Sequence, residues 1–303
     1  MLLARYAFVR MLIDMGILER LLGAISRHKF LGWTGLLIYA PLVTFPHDNV
    51  QYYVNEFAIR FTHKRLYQAS AAAAVLIGLV LTLVLVLALR WQPERRAVGL
   101  LWLATVVLMV ATWWVFMANN TELIHFPQYV PEGIVLLALT ASPVEAIAWA
   151  TVFGGIDESF QYWFLVQGKP VPYDFNDILM DLLGGAAGVV LAMALMRLER
   201  RKGAPGWLKD VLKRPGVVAI LAVVAAGIGL WATGAMTLYE APNASPHWFS
   251  LSRQHNLPFW FSAPTLLGPR TFHELSPLEG PILILTVLAA WSLADRRWRV
   301  SAP

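Results

Sequence analysis

Three apolar stretches between His125 and Gly188 carry side chains that a lipid-facing helix would replace with Leu or Val. His125, Gln128, Tyr129 and Glu132 stand on the first, Asp157, Glu158 and Gln161 on the second, and Asp177 and Asp181 on the third. Positions 125, 128/129 and 132 fall along one face of a helix. Ionisable groups inside apolar spans are expensive, so each marks a functional-site hypothesis. Glu158 is the candidate general acid/base. Gln161 would orient it, His125 would share its proton, and Asp177 and Asp181 would bind a polar or cationic group. Gln128, Tyr129, Glu132 and Asp157 complete the candidate binding set.

Charge balance sharpens the chemistry. Glu132, Asp157, Glu158, Asp177 and Asp181 are five acids, and no Lys or Arg lies within the three stretches. Five ionised carboxylates cannot share a small dry volume. Some must hold protons, face an outward-opening water cavity, or be balanced by a cation, part of which His125, Lys169 or the outer loops could supply. A nitrogen/oxygen metal site from His125, Glu132, Glu158 and Asp181 lacks any metal-binding spacing, so no metal and no cofactor is assigned.

The third stretch has a second pattern. Asp177, Asp181, Gly184 and Gly188 follow i, i+4, i+7, i+11, so acids and glycines share one helix face. A Gly184-x-x-x-Gly188 pair lets a neighbouring helix approach closely, which turns the acid-bearing face into a bundle. Gly154-Gly155 is expected to serve packing in the same way.

These groups need a scaffold, and the composition defines it. The 303 residues are 58% hydrophobic and only 14% charged, against about a quarter in soluble domains. An all-α, polytopic transmembrane bundle follows, with room for roughly eight spans of about 20 residues and for no separate soluble domain. Zero cysteines exclude structural disulfides and thiolate metal sites. The net charge of +5 is read as topology, not as nucleic-acid binding.

Residues 1–29, broken by Arg5, Arg10, Asp14, Glu19 and Arg20, read as an amphipathic segment on the membrane surface, and 30–303 as a single membrane domain. Spans are expected at 30–45, 66–89, 97–117, 128–141, 144–166, 176–196, 216–238 and 281–294. Residues 47–64 read as a polar, aromatic outer loop holding His47, Asp48 and His63, and 240–276 as an ordered interfacial cap. With the N-terminus inside, 18 of the 24 Lys and Arg fall on the inner side, so both termini are expected in the cytoplasm. The fourth span then descends, the fifth rises and the sixth descends, and their polar groups meet at one depth near the outer surface. The basic stretch 197–214 could hold anionic head groups. His247, His255 and His273 match no ligand motif, the Asn243-Ala244-Ser245 sequon is followed by Pro246, and no Walker loop, dinucleotide fingerprint or nucleophile elbow occurs.

The pattern His125-x-x-Gln128-Tyr129, then Glu158-x-x-Gln161, then Asp177-x-x-x-Asp181-x-x-Gly184-x-x-x-Gly188 resembles the VanZ-like membrane protein family over about residues 120–195. That family carries a histidine–acid/tyrosine start, an E-x-x-Q helix and a D-x-x-x-N-x-x-G-x-x-x-G helix. Asp181 stands where the family usually has Asn, and the arginine usual between the second and third motifs is missing, Lys169 being nearest. The resemblance implies a multi-pass protein of the bacterial cytoplasmic (inner) membrane with a cell-envelope role, and no specific reaction. The expected function is recognition, with processing as an option, of a lipid-linked or glycopeptide-like envelope component. A non-catalytic accessory or assembly subunit of a larger membrane complex is the alternative, and a proton- or cation-coupled transporter the second alternative. Membrane lipids, an envelope substrate or other membrane subunits are the expected partners, and nucleic acid is not.

Overall fold

The computed structural model describes residues 15–45, 47–90, 92–118, 120–166, 169, 171–196, 198–200, 206–240, 249–254, 258–265 and 268–300. The fold is all-α, with two short strand pairs among the described residues. In chain order the helices are α1 (Met15–Arg27), α2 (Lys29–Thr44), α3 (His47–Phe61), α4 (His63–Leu89), α5 (Arg95–Phe116), α6 (His125–Thr140), α7 (Pro143–Phe160), α8 (Phe175–Leu195), α9 (Trp207–Val211), α10 (Pro215–Ala232) and α11 (Glu279–Arg297). Residues 1–14 with Arg5, Arg10 and Asp14, and the sites Asn243, Ser245, His247 and His255, lie outside the described residues.

The bundle is built around α8. Its most apolar stretch is 100% buried, while those of α4 and α10 are only 11% buried. A helix apolar all round and enclosed is a core element, and one apolar but uncovered faces lipid or a partner. α6 and α7 form the closest neighbours of α8, with α5, α4 and α11 around them. Between lipid-like surfaces, association rests on close packing rather than on expelling water. Glycine provides that closeness here. A Cβ added at Gly188 would fall on the Val130 carbonyl, one at Gly133 on the Gly185 carbonyl, and one at Gly184 within 2.5 Å of the Phe126 carbonyl oxygen.

Local chemistry sets the turns that aim the three helices. α6 stops at Ala141, in the left-handed conformation at φ 55°, whose N–H bonds the Leu137 carbonyl. Ser142 then caps α7 by accepting from the Glu145 N–H, with Pro143 at the first helical position. α7 ends in a single π-turn, Gln161–Leu165, a distortion common at functional sites. Asp174 caps α8, accepting from the N–H groups of Asn176 and Asp177. At the far end of α8, the Gln92 amide donates to the Met193 and Met196 carbonyls at 2.9 and 2.8 Å, satisfying groups the helix leaves open. Strand β1 (Leu198–Arg200) pairs there with β4 (Trp298–Val300), and the hairpin β2 (Phe261–Thr265)–β3 (Gly268–Phe272) belongs to the long loop before α11.

Among the described residues four helices are long and apolar enough to cross a membrane: α4, α5, α8 and α10. The stretch expected as a span at 30–45 forms the 16-residue α2, with Pro41 inside it and a length of about 24 Å, shorter than a bilayer core. Residues 47–61, expected as a loop, form α3. Val50, Tyr53, Val54, Phe57, Ala58 and Phe61 recur at helical spacing, a periodicity that the polar residues between them mask. His63 opens α4 rather than sitting in that loop.

Candidate functional site

α7 folds back along α6 through the turn at Ala141 and Ser142, and the contacts of His125 with Asp177 and Asp181 bring the start of α8 to the same end. His125 opens α6 and Asp177 and Asp181 occupy the first two turns of α8. The His125 Nδ1 is 3.0 Å from Asp181 Oδ1, and its Nε2 is 3.4 Å from Asp177 Oδ2. All three side chains are buried or nearly so, Asp181 completely. The first distance is a hydrogen bond and the second an ion-pair contact. Only the doubly protonated imidazolium can donate to both carboxylates at once.

Glu158, on the last turn of α7, accepts a hydrogen bond from the Gln161 amide at 2.8 Å. It is 3% exposed and interacts electrostatically with Asp177, Asp174, Asp181 and Asp157. No hydrogen bond or ion pair joins Glu158 to His125 among the described residues. Their link runs through the α8 carboxylates. Glu132 and Asp157 are also buried and lie within electrostatic reach of Asp181, and Tyr129 interacts with the same three carboxylates. Gln128 differs from these. It is partly exposed, and its backbone carbonyl accepts from the Tyr39 hydroxyl at 2.5 Å, which ties α2 to the first turn of α6.

Gly154, on the α7 face opposite Asp181, has the role its sequence context implies at short range. A Cβ there would come within 2.7 Å of Asp181 Oδ2, so glycine gives that carboxylate its room. Gly155 faces open space, but its carbonyl accepts from the Ser159 and Tyr173 hydroxyls at 2.6 and 2.9 Å.

Several residues of this region carry no motif. Asp174 stands beside Asp177, and burial, reinforced by the Asp177 charge, pushes its carboxyl up to about 7 against the pull of the two N–H groups it caps. Glu274, in the loop before α11, is raised to about 8 by burial and then by Asp174. Glu122, in the short 3₁₀ turn Asn120–Ile124, is raised by burial and by Asp177 and Asp174, while accepting from the Ala118 N–H at 2.9 Å. A buried Asn176 stitches the rim together. Its amide donates to the Phe116 and His273 carbonyls at 2.9 and 3.0 Å, and its oxygen accepts from the Leu275 N–H at 3.0 Å. The Asp174-x-x-Asp177 step ahead of an apolar run is an N-cap signal that could have located Asp174. Glu122, Glu274 and Asn176 are brought in by tertiary contacts that no local spacing encodes.

Loop residues close the end of α7. Arg253 donates to the Val166 and Tyr162 carbonyls at 2.8 and 3.0 Å, its guanidinium lies 4.1 Å from the centre of the Tyr162 ring, and Tyr162 donates to the Ser250 carbonyl at 2.8 Å. His273, expected to be interfacial, is buried. It stacks on Phe259 at 4.3 Å and its Nε2 lies 3.2 Å from Glu279 Oε2. The described part of the 240–276 loop therefore covers the same end of the bundle as the polar cluster. Among the described residues no group of three His, Asp or Glu side chains is arranged to hold a metal ion. Compared with models of known protein families, with curated proteins and with solved structures, the chain matches none.

Proposed function

We propose that the chain is a VanZ-like, multi-pass protein of a bacterial cytoplasmic membrane. In this reading it has about eight crossings, α2, α6, α7 and α11 serving as short ones, and both termini lie in the cytoplasm. The cluster of His125, Asp177, Asp181 and Glu158 then opens toward the outer leaflet and recognises a lipid-linked or glycopeptide-like component of the cell envelope. The observation that carries this is His125 held between two α8 carboxylates, 3.0 and 3.4 Å away, at the end of a bundle whose central helix has its most apolar stretch wholly buried. Charge that costly to bury is retained for binding or proton transfer rather than for stability. Recognition is the core of the proposal, and Glu158, oriented by Gln161, is the group that would move a proton if the bound component is also processed.

The test is binding of a fluorescent lipid-linked disaccharide-peptide to the purified protein in lipid nanodiscs. Saturable binding that weakens at least tenfold in His125→Gln and in Asp181→Asn is expected. No saturable binding by the unaltered protein, or equal binding by both variants, would overturn the reading.

One observation favours a second reading, an accessory or assembly subunit of a larger membrane complex. α4 and α10 leave most of their apolar surface uncovered. Mass measurement of the protein extracted in mild detergent decides it: a species of one chain alone at every concentration removes that reading.

A further inference from the structure

Glu132 on α6, Asp157 on α7 and Asp181 on α8 each present one buried oxygen without a hydrogen-bond partner: Glu132 Oε1, Asp157 Oδ1 and Asp181 Oδ2. The three residues are 3%, 5% and 0% exposed, so water does not compensate them from the surface. Packing brings the three together: Gly133, next to Glu132, lies on the backbone of Gly185, one turn from Asp181, and Gly154, three residues before Asp157, lies on the Asp181 carboxylate. Asp181 divides its two oxygens between two tasks. Oδ1 faces His125, and Oδ2 lies against α7 at Gly154.

Among the described residues no Lys or Arg forms an ion pair with these three carboxylates. There is no Lys or Arg between Arg96 and Lys169, and none between Lys169 and Arg197. His125 has both ring nitrogens committed, to Asp181 Oδ1 and to Asp177. A buried carboxylate without a partner is costly, and three acceptors from three helices define what would relieve them: one positive charge with several N–H donors. An alkyl ammonium group carries three donors and no acceptor on a slender stem, and charge-assisted N–H bonds to carboxylates are strong. A bare metal ion fits less well, because these side chains are not arranged as a ligand shell.

We infer that Glu132, Asp157 and Asp181 form a subsite for one primary ammonium group, carried by an aminolipid headgroup or by an amine of a sugar or peptide; the inference rests on reading the cluster as a recognition site. Asp181 is then the shared wall between this subsite and the His125 position. A quaternary ammonium has no N–H to offer and is excluded from it.

The experiment titrates the purified, unaltered protein with methylammonium and with tetramethylammonium, following the melting midpoint and tryptophan fluorescence. Methylammonium should give a saturable response at least tenfold tighter than tetramethylammonium, and Glu132→Gln and Asp157→Asn should each weaken it at least tenfold. Short-chain phosphatidylethanolamine against phosphatidylcholine, and glucosamine against N-acetylglucosamine, then distinguish the two sources, and a preference for the free amine in either pair supports the subsite. An absent methylammonium response, an equal response to tetramethylammonium, or an unchanged response in both variants overturns it. The comparison of the two cations on the unaltered protein decides the matter even if a variant fails to fold. Binding of the lipid-linked disaccharide-peptide in the same sample without an amine response would overturn the ammonium subsite alone and leave the recognition reading intact.

Discussion

His125 Nδ1 lies 3.0 Å from Asp181 Oδ1, across a helix boundary that glycines bring into backbone contact. The same imidazole reaches Asp177 at 3.4 Å, so one histidine links α6 to two successive turns of α8. Two features of the sequence meet at this pair. The acids and the glycines of α8 share the face turned to α6, and close approach at Gly184 and Gly188 draws the His125 end of α6 onto the acids.

Breaking this contact on one side should cost more than removing it altogether. Losing one member of a buried charged pair typically costs about 3–5 kcal/mol, because the other is left without compensation. His125→Gln and Asp181→Asn should each lower unfolding stability in detergent, and the double variant should lose less than the sum, with a coupling of about 0.5–3 kcal/mol. Strict additivity in that cycle would mean that the two side chains do not act on one another.

The glycine contact between α6 and α8 is tested separately. Gly188→Ala and Gly133→Ala place a methyl group on a facing carbonyl, and overpacking of this kind costs about 1–3 kcal/mol. Gly78→Ala on the exposed α4 meets nothing within 4 Å and should be neutral or slightly stabilising. Equal melting midpoints for all three variants would contradict the close approach.

Acidity at the rim should be visible in stability. Asp174 is raised to about 7 and Glu274 to about 8, in each case first by burial. A carboxyl held above its unfolded value binds its proton more tightly in the folded chain. Its contribution is complete below the unfolded value near 4 and is lost as pH rises through about 7 and about 8. The melting midpoint should therefore fall over that window, and Glu274→Gln should flatten the decline while leaving stability at the acidic end unchanged. A slope identical to that of the unaltered protein would contradict the assignment of Glu274.

How much of this could be read from the chain depends on the range of each signal. The all-α character and the convergence of His125, Glu158, Asp177 and Asp181 follow from composition and from helical spacing, both local in sequence. The long α4, α5, α8 and α10 are evident because each contains a long apolar run. α3 was hidden, since its polar residues resemble a loop until its apolar residues are counted at every third or fourth position. Spacing could not reveal that Asn176 bonds the end of α5 and the loop near His273, about 60 and 97 residues away along the chain. Nor could it reveal that Glu158 and His125 face the same carboxylates without touching one another.

The central claim, that the polar cluster opens to the outer face of the membrane and holds an envelope component there, is tested most directly by cysteine labelling. The chain has no cysteine of its own, so single replacements report without background. Gln128→Cys and Gln161→Cys, both at partly exposed positions of the site, are treated in intact cells with a membrane-impermeant maleimide, with Lys169→Cys as the exposed loop control. All three should label from outside, and the lipid-linked disaccharide-peptide should protect positions 128 and 161 but not 169. Labelling of Lys169→Cys only after the cytoplasmic face is opened, or equal labelling of all three with and without that component, would contradict it.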